Sequence, residues 1–218
     1  MEAALLGMAQ ASSLRGGELR EWHEVARRVV QADPRLKSLS LTDGRGRMLL
    51  HTDEAFGTAL PISSAAEVQA LLVVAGRPRV SPLLLGARGG QPAVGLAMAL
   101  DLPGEAPLVL RGEVDLARIG LRLNEQAWPA DWIAGVLDQR GVIVARSREP
   151  ERFVGQPATA ALRDGVAAGP PTFVADTREG MAVVAAAAPI GDTGWHVVVG
   201  QPLAELESQA REPMRAIL

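Results

Sequence analysis

The three histidines, His23, His51 and His196, are the first residues to weigh for chemistry. Their spacing fits no metal motif. "HEVAR" at His23 lacks the second histidine, four residues on, that would share a helix face with it and hold zinc. Cysteine is absent, which excludes thiol catalysis, disulfides and thiolate-bound metal. No nucleophile elbow, P-loop or dinucleotide fingerprint occurs. These residue types therefore predict no enzymatic activity, no cofactor and no metal site. What they allow is binding. Strand side chains alternate between faces, so "LVLRGEVD" sets Val109, Arg111, Glu113 and Asp115 on one side, and "SLSLT" sets Ser38, Ser40 and Thr42 together. A charged pair beside hydroxyls suits a ligand pocket, and the expected set is Ser40, Thr42, Arg111, Glu113 and Asp115. The alternative is a polar face that meets solvent. His51, after Leu49 and Leu50, joins the set if it points at the pocket; otherwise it is a packed or surface histidine with a satisfied hydrogen bond.

The totals narrow the partners. The chain has 218 residues, 48% hydrophobic and 22% charged, enough to bury a core in one large domain or two small ones. The net charge of −3 comes with no basic stripe, and aromatics are only 3% with no tyrosine, so nucleic acid is not expected. No run of about eighteen apolar residues is present to span a bilayer. Glu2 stands where a signal peptide would carry positive charge. The chain is then either cytosolic or a piece with its membrane segments removed.

Certain elements must position the polar set. Residues 2–31 read as helical, with Leu19, Trp22, Val25, Ala26 and Val29 at helical spacing. Gly16-Gly17 weakens that helix midway, and Asp33-Pro34 ends it. "LKSLSLTDGRGRMLLHT" reads as a hairpin turning at Asp43-Gly44-Arg45-Gly46. "SSAAEVQALLVVAG" reads as a short helix, "QPAVGLAMALDL" and "APLVLRGEVDL" as strands, and "LARIGLRLNEQAW" as a connecting helix. The strand at 91–100 puts Val94, Leu96, Met98 and Leu100 on one face and Gln91, Ala93, Gly95, Ala97 and Ala99 on the other. The greasy face suits packing under the N-terminal helix.

The pattern then restarts. "DWIAGVLDQRGVIVARS" is a hairpin, "ATAALRDGVAAG" a helix, "MAVVAAAAPI" and "GWHVVVGQP" strands, and "LAELESQAREPMRAIL" a helix. Trp195 and His196 open the last strand. Asp43 and Gly46 match Asp138 and Gly141 at a spacing of 95, and Gly112 matches Gly200 at a spacing of 88. Two copies do not make a solenoid; they read as two small α/β modules in tandem, each around an antiparallel sheet. The second copy offers Ala and Val on both strand faces, as a sheet buried on both sides does. It reads as a transmitter rather than a receiver.

Two such modules after one long helix and before another resemble a double Cache domain, the PAS-like extracytoplasmic sensor of bacterial histidine kinases, chemoreceptors and diguanylate cyclases. "VLDQRGVIVARSREPERFVGQ" and "AAAAPIGDTGWHVVVGQPLAEL" carry the resemblance in the second module, and "LKSLSLTDGRGRML", "GRPRVS" and "LVLRGEVDLARI" in the first. The resemblance implies an α+β fold: a stalk helix at 1–32, a membrane-distal module at 33–128 with its connecting helix, a membrane-proximal module at 129–203, and a C-terminal helix at 204–218 leading to a membrane segment. It implies a periplasmic part of an inner-membrane protein, a homodimer, and a small-molecule ligand in the distal module, with a helix shift as output. Arg79 and Ser81 in "GRPRVS" sit where the family's pocket wall lies. The chain departs from the amino-acid-binding members, which carry Arg and an aromatic cluster on the helix after the first hairpin; "SSAAEVQALL" has neither, and Asp115 alone resembles their distal Asp. Amino-acid recognition through that motif is therefore not expected. The rival readings are a structural dimerisation module answering to a partner protein or the membrane, and a cytosolic PAS-like regulatory module.

Overall fold

A computed structural model describes residues 2–62, 78–85, 92–101 and 107–208. The expected helix at 63–76, the turn at Pro103-Gly104 and the end of the chain past 208 lie outside these. The chain divides into two compact units, Met1–Asp115 and Leu116–Leu218.

In the first unit, the expected single helix is three: α1 (Glu2–Ala9), α2 (Ser12–Arg15) and α3 (Leu19–Ala32). The second break falls on the glycine pair. Gly17 takes φ +73, a left-handed conformation that glycine adopts without strain. The breaks let three short helices converge on one core rather than run past it. Leu5, Met8, Leu14, Trp22 and Ala26 all bury there with Leu39, Leu41, Leu50, Met98 and Leu110 of the sheet. The Trp22 indole N–H donates to the Met8 carbonyl at 3.0 Å, beside the Ala11 N–H at 3.4 Å, and ties α3 to the end of α1. α3 stops at Asp33, extended at ψ 98 ahead of Pro34. Of the expected stripe, Trp22 and Ala26 are buried, and Leu19, Val25 and Val29 pack partly buried against the same core.

The sheet beneath runs β2 (Met48–His51), β1 (Ser38–Asp43), β6 (Leu108–Val114), β5 (Pro92–Leu100), β3 (Arg79–Val80), with β4 (Leu84–Leu85) also on β5. Its pairs are antiparallel. Gly112 admits the helices: a Cβ there would sit 2.8 Å from Leu5 Cδ1 and 3.0 Å from Leu36 Cδ2. The face that the alternation marks as greasy is thus the one under the N-terminal helices.

The second unit repeats the plan. Its sheet is β8 (Ile143–Arg146), β7 (Ile133–Leu137), β11 (His196–Pro202), β10 (Ala182–Pro189), β9 (Thr172–Asp176), the same strand order with the last strand beside the first. α4 (Leu116–Asn124) packs on β8, and α6 (Ala160–Ala168) on β9; α5 (Pro150–Phe153) is a single turn between them. Thr159 caps α6, accepting from the Leu162 N–H, and Gly169 ends it at φ 77. β9 is the strand that sequence does not announce: "TFVAD" is short, follows Pro170-Pro171 and lies at a sheet edge with mostly exposed side chains.

The repeat is physical, not only textual. The Asp43 carboxylate accepts from the N–H groups of Arg45 and Arg47, and that of Asp138 from Arg140 and Val142, at 2.8–2.9 Å. Gly46 and Gly141 follow at φ 87 and 72. The hairpin bulges fall at Leu41/Thr42 and Val136/Leu137. Each hairpin closes the same way, Leu39 N–H on Thr52 Oγ1 in one and Ala134 N–H on Ser147 Oγ in the other.

Candidate functional site

Directly opposed residues of an antiparallel pair share a face. Ser38, Ser40 and Thr42 oppose Glu113, Arg111 and Val109. Arg111 and Glu113 in turn oppose Ala97 and Gly95, His51 opposes Ser40 across the hairpin bend, and Arg79 opposes Ala97. One face of the first sheet therefore gathers Ser38, Ser40, Thr42, His51, Arg111 and Glu113, beside the small Ala97. Ser38, Ser40, Thr42, His51 and Glu113 are buried, and the Arg111 side chain is 15% exposed. These groups do not meet open solvent. Arg111 Nη2 stands 3.8 Å from Glu113 Oε1. Ser38 Oγ is buried with no hydrogen-bond partner, a cost that a ligand or water bonded there would remove.

His51 has a defined role for each polar atom but one. Its Nδ1 accepts from the Asp53 N–H at 3.2 Å, which puts the ring proton on Nε2. Its carbonyl contacts His23 Nε2 at 3.1 Å, so α3 seals the edge of β2.

The structure separates the other three expected residues from this set. Asp115 lies past the end of β6 and is exposed. Alternation carries a face only as far as the strand continues. Arg79 shares the face but is exposed on the short β3. Ser81 is buried, yet it serves the sheet: its N–H donates to the Gly95 carbonyl at 2.7 Å, and its Oγ accepts from the Gly95 N–H at 3.1 Å.

The second module holds a cavity of about 60 Å³ on the equivalent sheet face. Ile133, Leu137, Val183 and Val198 give apolar walls, and Gly135 and Gly200 a low floor. Arg146 lines it as well. Arg146 opposes Gly135 as His51 opposes Ser40, with both members 95 positions further on. Its guanidinium is held on two sides: Nη2 donates to both Glu179 oxygens at 2.7 and 2.8 Å, and the group lies 4.2 Å over the Phe153 ring. Arg146, Glu179 and Thr159 are absent from the expected site. The signal was present in the 95-residue spacing, which puts Arg146 on His51.

Burial alone would raise the Glu179 pKa, but the hydrogen bonds from Arg146, from its own backbone N–H and from Thr177, together with the Arg146 charge, hold it below the usual value of 4.5. A depressed carboxylate stabilises the fold above its unfolded value and loses that contribution as pH falls through the folded one. Glu179→Gln is expected to lower stability by about 1–2 kcal/mol near pH 7. The gap to wild type should close as pH falls through the depressed folded value and the Glu179 carboxylate takes up its proton. Urea melts at neutral pH and in acid check this; a gap that persists in acid would show that the loss is not the ion pair.

Among the described residues no helix is long and apolar enough to cross a membrane, and no cluster of His, Cys, Asp and Glu is arranged to hold a metal. Sequence comparison finds no matching family model and no matching curated protein. The fold, in contrast, is shared with solved sensor domains. The extracellular domain of the histidine-kinase candidate rpHK1S-Z16 superposes with a TM-score of 0.69 at 9% identity, covering 95% of each chain.

The chain has the double Cache fold.

Two further solved double Cache structures carry the same plan. The sensor domain of the Vibrio cholerae histidine kinase DctB gives a TM-score of 0.59 at 13% identity, over 92% of this chain and 83% of that one. The ligand-binding domain of the Pseudomonas fluorescens chemoreceptor CtaA, in complex with L-alanine, gives 0.63 at 14% identity, over 92% and 87%. These neighbours are sensor and ligand-binding domains rather than catalytic ones.

Proposed function

We propose that this double Cache chain is the extracytoplasmic ligand-sensing domain of a bacterial signal-transduction receptor, itself without enzymatic activity. Its first module is the membrane-distal receiver. The carrying observation is the buried polar face of that module, where Ser38, Ser40, Thr42, His51, Arg111 and Glu113 converge and Ser38 Oγ is left without a partner. A purely structural module would fill this position with apolar side chains, since buried polar groups cost free energy unless bonded. Arg111 and Glu113 offer one charge of each sign, which suits a small molecule with both an acidic and a basic or hydroxyl group.

In this reading the receptor is a homodimer anchored in the inner membrane by segments beyond both ends of the chain. The partly buried Leu19, Val25 and Val29 border the face of α3 that a second copy would use. A ligand shifts such a receptor only through different affinity for its two states. The break at Gly16-Gly17 is where the N-terminal helices can yield to a small packing step of the sheet.

Thermal-shift and calorimetric titration of the chain with L-alanine, L-asparagine, L-isoleucine, L-serine and L-lactate tests the receiver. At least one probe should raise Tm by several degrees at a hundredfold excess over its Kd, equivalent to roughly 2.7 kcal/mol by mass action. Arg111→Gln should weaken that probe about tenfold or more. Binding that survives Arg111→Gln, or no response to any probe, overturns the assignment.

A further inference from the structure

We propose that the second module carries a ligand site of its own, a cleft that takes a short aliphatic monocarboxylate with Arg146 Nη1 as its donor. This goes beyond the receiver in the first module and stands without it. It also departs from the expectation that the second module only transmits.

The argument starts from one unfilled donor. The Arg146 side chain is 6% exposed. Glu179 takes Nη2, Phe153 takes one face of the guanidinium, and Nη1 is buried with no hydrogen-bond partner. Leaving a charged donor unmet in the interior costs more than most local interactions return, so the protein gains by supplying an acceptor. The neighbouring polar groups are spent elsewhere. Thr159 Oγ1 donates to the Asp176 carbonyl and accepts from the Leu162 N–H, and Arg178 Nη1 donates to the Pro157 carbonyl.

Size and walls then select the ligand. A cavity of about 60 Å³ has room for about two waters at their liquid volume, or about three to five non-hydrogen atoms. Ile133, Leu137, Val183 and Val198 favour an alkyl stem over bulk water. Among acceptors, a carboxylate adds its own charge to the bond and matches the guanidinium geometry, so it is the strongest partner for Nη1. Glu179 already balances Arg146, and the Arg178 and Asp176 charges that also line the cavity offset each other, so the preference for a carboxylate rests on the unfilled Nη1 donor itself. The placement is not local chance. Arg146 holds, in the second copy, the position that His51 holds in the first, and both face the equivalent sheet surface. The duplicated fold has presented two faces of the same kind: one polar and broad, one greasy with Arg146 at its edge.

The test is titration of the chain with acetate, propionate and butyrate at constant ionic strength, read by calorimetry and by methyl NMR. Propionate should bind with a Kd on the order of 0.1–1 mM, as a five-heavy-atom ligand of good efficiency allows. The Ala158 and Ala185 methyls should shift on titration while Ala97 and Ala99 of the first sheet stay in place. Arg146→Lys, which keeps the charge and loses Nη1, should weaken binding about tenfold or more. Ala158→Leu, which fills the cavity without touching the guanidinium, should do the same. Arg111→Gln should leave binding unchanged. Propionamide should bind about tenfold more weakly than propionate. The wild-type NMR arm stands even if a variant fails to fold. Any of three results overturns the proposal: no methyl shift at Ala158 and Ala185 with any of the three acids, equal binding of propionamide, or binding that Arg111→Gln abolishes.

Discussion

Trp22→Ala should cost the first module about 3–5 kcal/mol, the range for truncating a large buried aromatic. Trp22 is fully buried at the meeting point of α1, α2, α3 and the sheet. Two losses combine. The cavity left by the indole cannot close, because the surrounding Leu5, Met8, Leu14 and Leu41 are held by separate elements. The Met8 carbonyl also loses the indole N–H that now donates to it at 3.0 Å. Against a total stability of roughly 5–15 kcal/mol for a small domain, such a loss is a large share. Trp22→Phe keeps most of the apolar surface and loses the hydrogen bond and some volume, so it should cost about 1–3 kcal/mol. Urea denaturation followed by circular dichroism measures both. A Trp22→Ala loss below that of Trp22→Phe would mean that the three N-terminal helices are not held through this residue.

Gly95→Ala should cost about 3 kcal/mol or more, above the usual range for added core methylenes because the obstacle is backbone. A Cβ at Gly95 would collide with the Gly112 carbonyl oxygen and come within 3.1 Å of the Glu113 Cα. Neither can turn aside as a side chain does. Both Gly95 backbone groups also hold Ser81, so pushing β5 away from β6 releases β3 as well. Gly120→Ala supplies the contrast. Gly120 lies within α4 with nothing within 4 Å of an added Cβ. That substitution should stabilise by up to about 1 kcal/mol through helix propensity alone. Thermal melts of the two variants should move in opposite directions. A neutral Gly95→Ala would show that the sheet can spread at this point.

Much of the architecture was legible because it is written in local chemistry. The hairpin turns follow from Asp and Gly at fixed positions: the Asp carboxylate collects two backbone N–H groups and the Gly takes positive φ, in both copies alike. The greasy and polar faces of β1, β5 and β6 follow from a period of two that any extended chain obeys. Even the break at Gly16-Gly17 is local, since glycine loses most by staying helical.

The site depended on what is not local. Which strand lies beside which decides that Ser40, Arg111, His51 and Ala97 meet, and that rests on an antiparallel register set by pairing between β1 and β6, some 70 residues apart. Alternation put Asp115 with Arg111 and Glu113, but the strand ends one residue earlier and the residue is exposed. Ser81 carries a pocket residue's chemistry and spends it on the Gly95 backbone. The composition of the second module, Ala and Val on both faces, announced a sheet buried on both sides; instead β10 alternates buried Val183 and Ala185 with exposed Ala182, Ala186 and Ala188, because Ala is small enough to face water at little cost, and composition gave no hint of a cavity. A cavity is a property of packing: small residues leave space only where the helix above cannot descend to fill it. The sequence by itself determined two copies of one module, their turns and their faces, because those follow from each residue and its neighbours. Only the tertiary structure decided which polar groups share a buried surface and where Arg146 meets empty space, because both depend on distances between segments that the chain brings together only on folding.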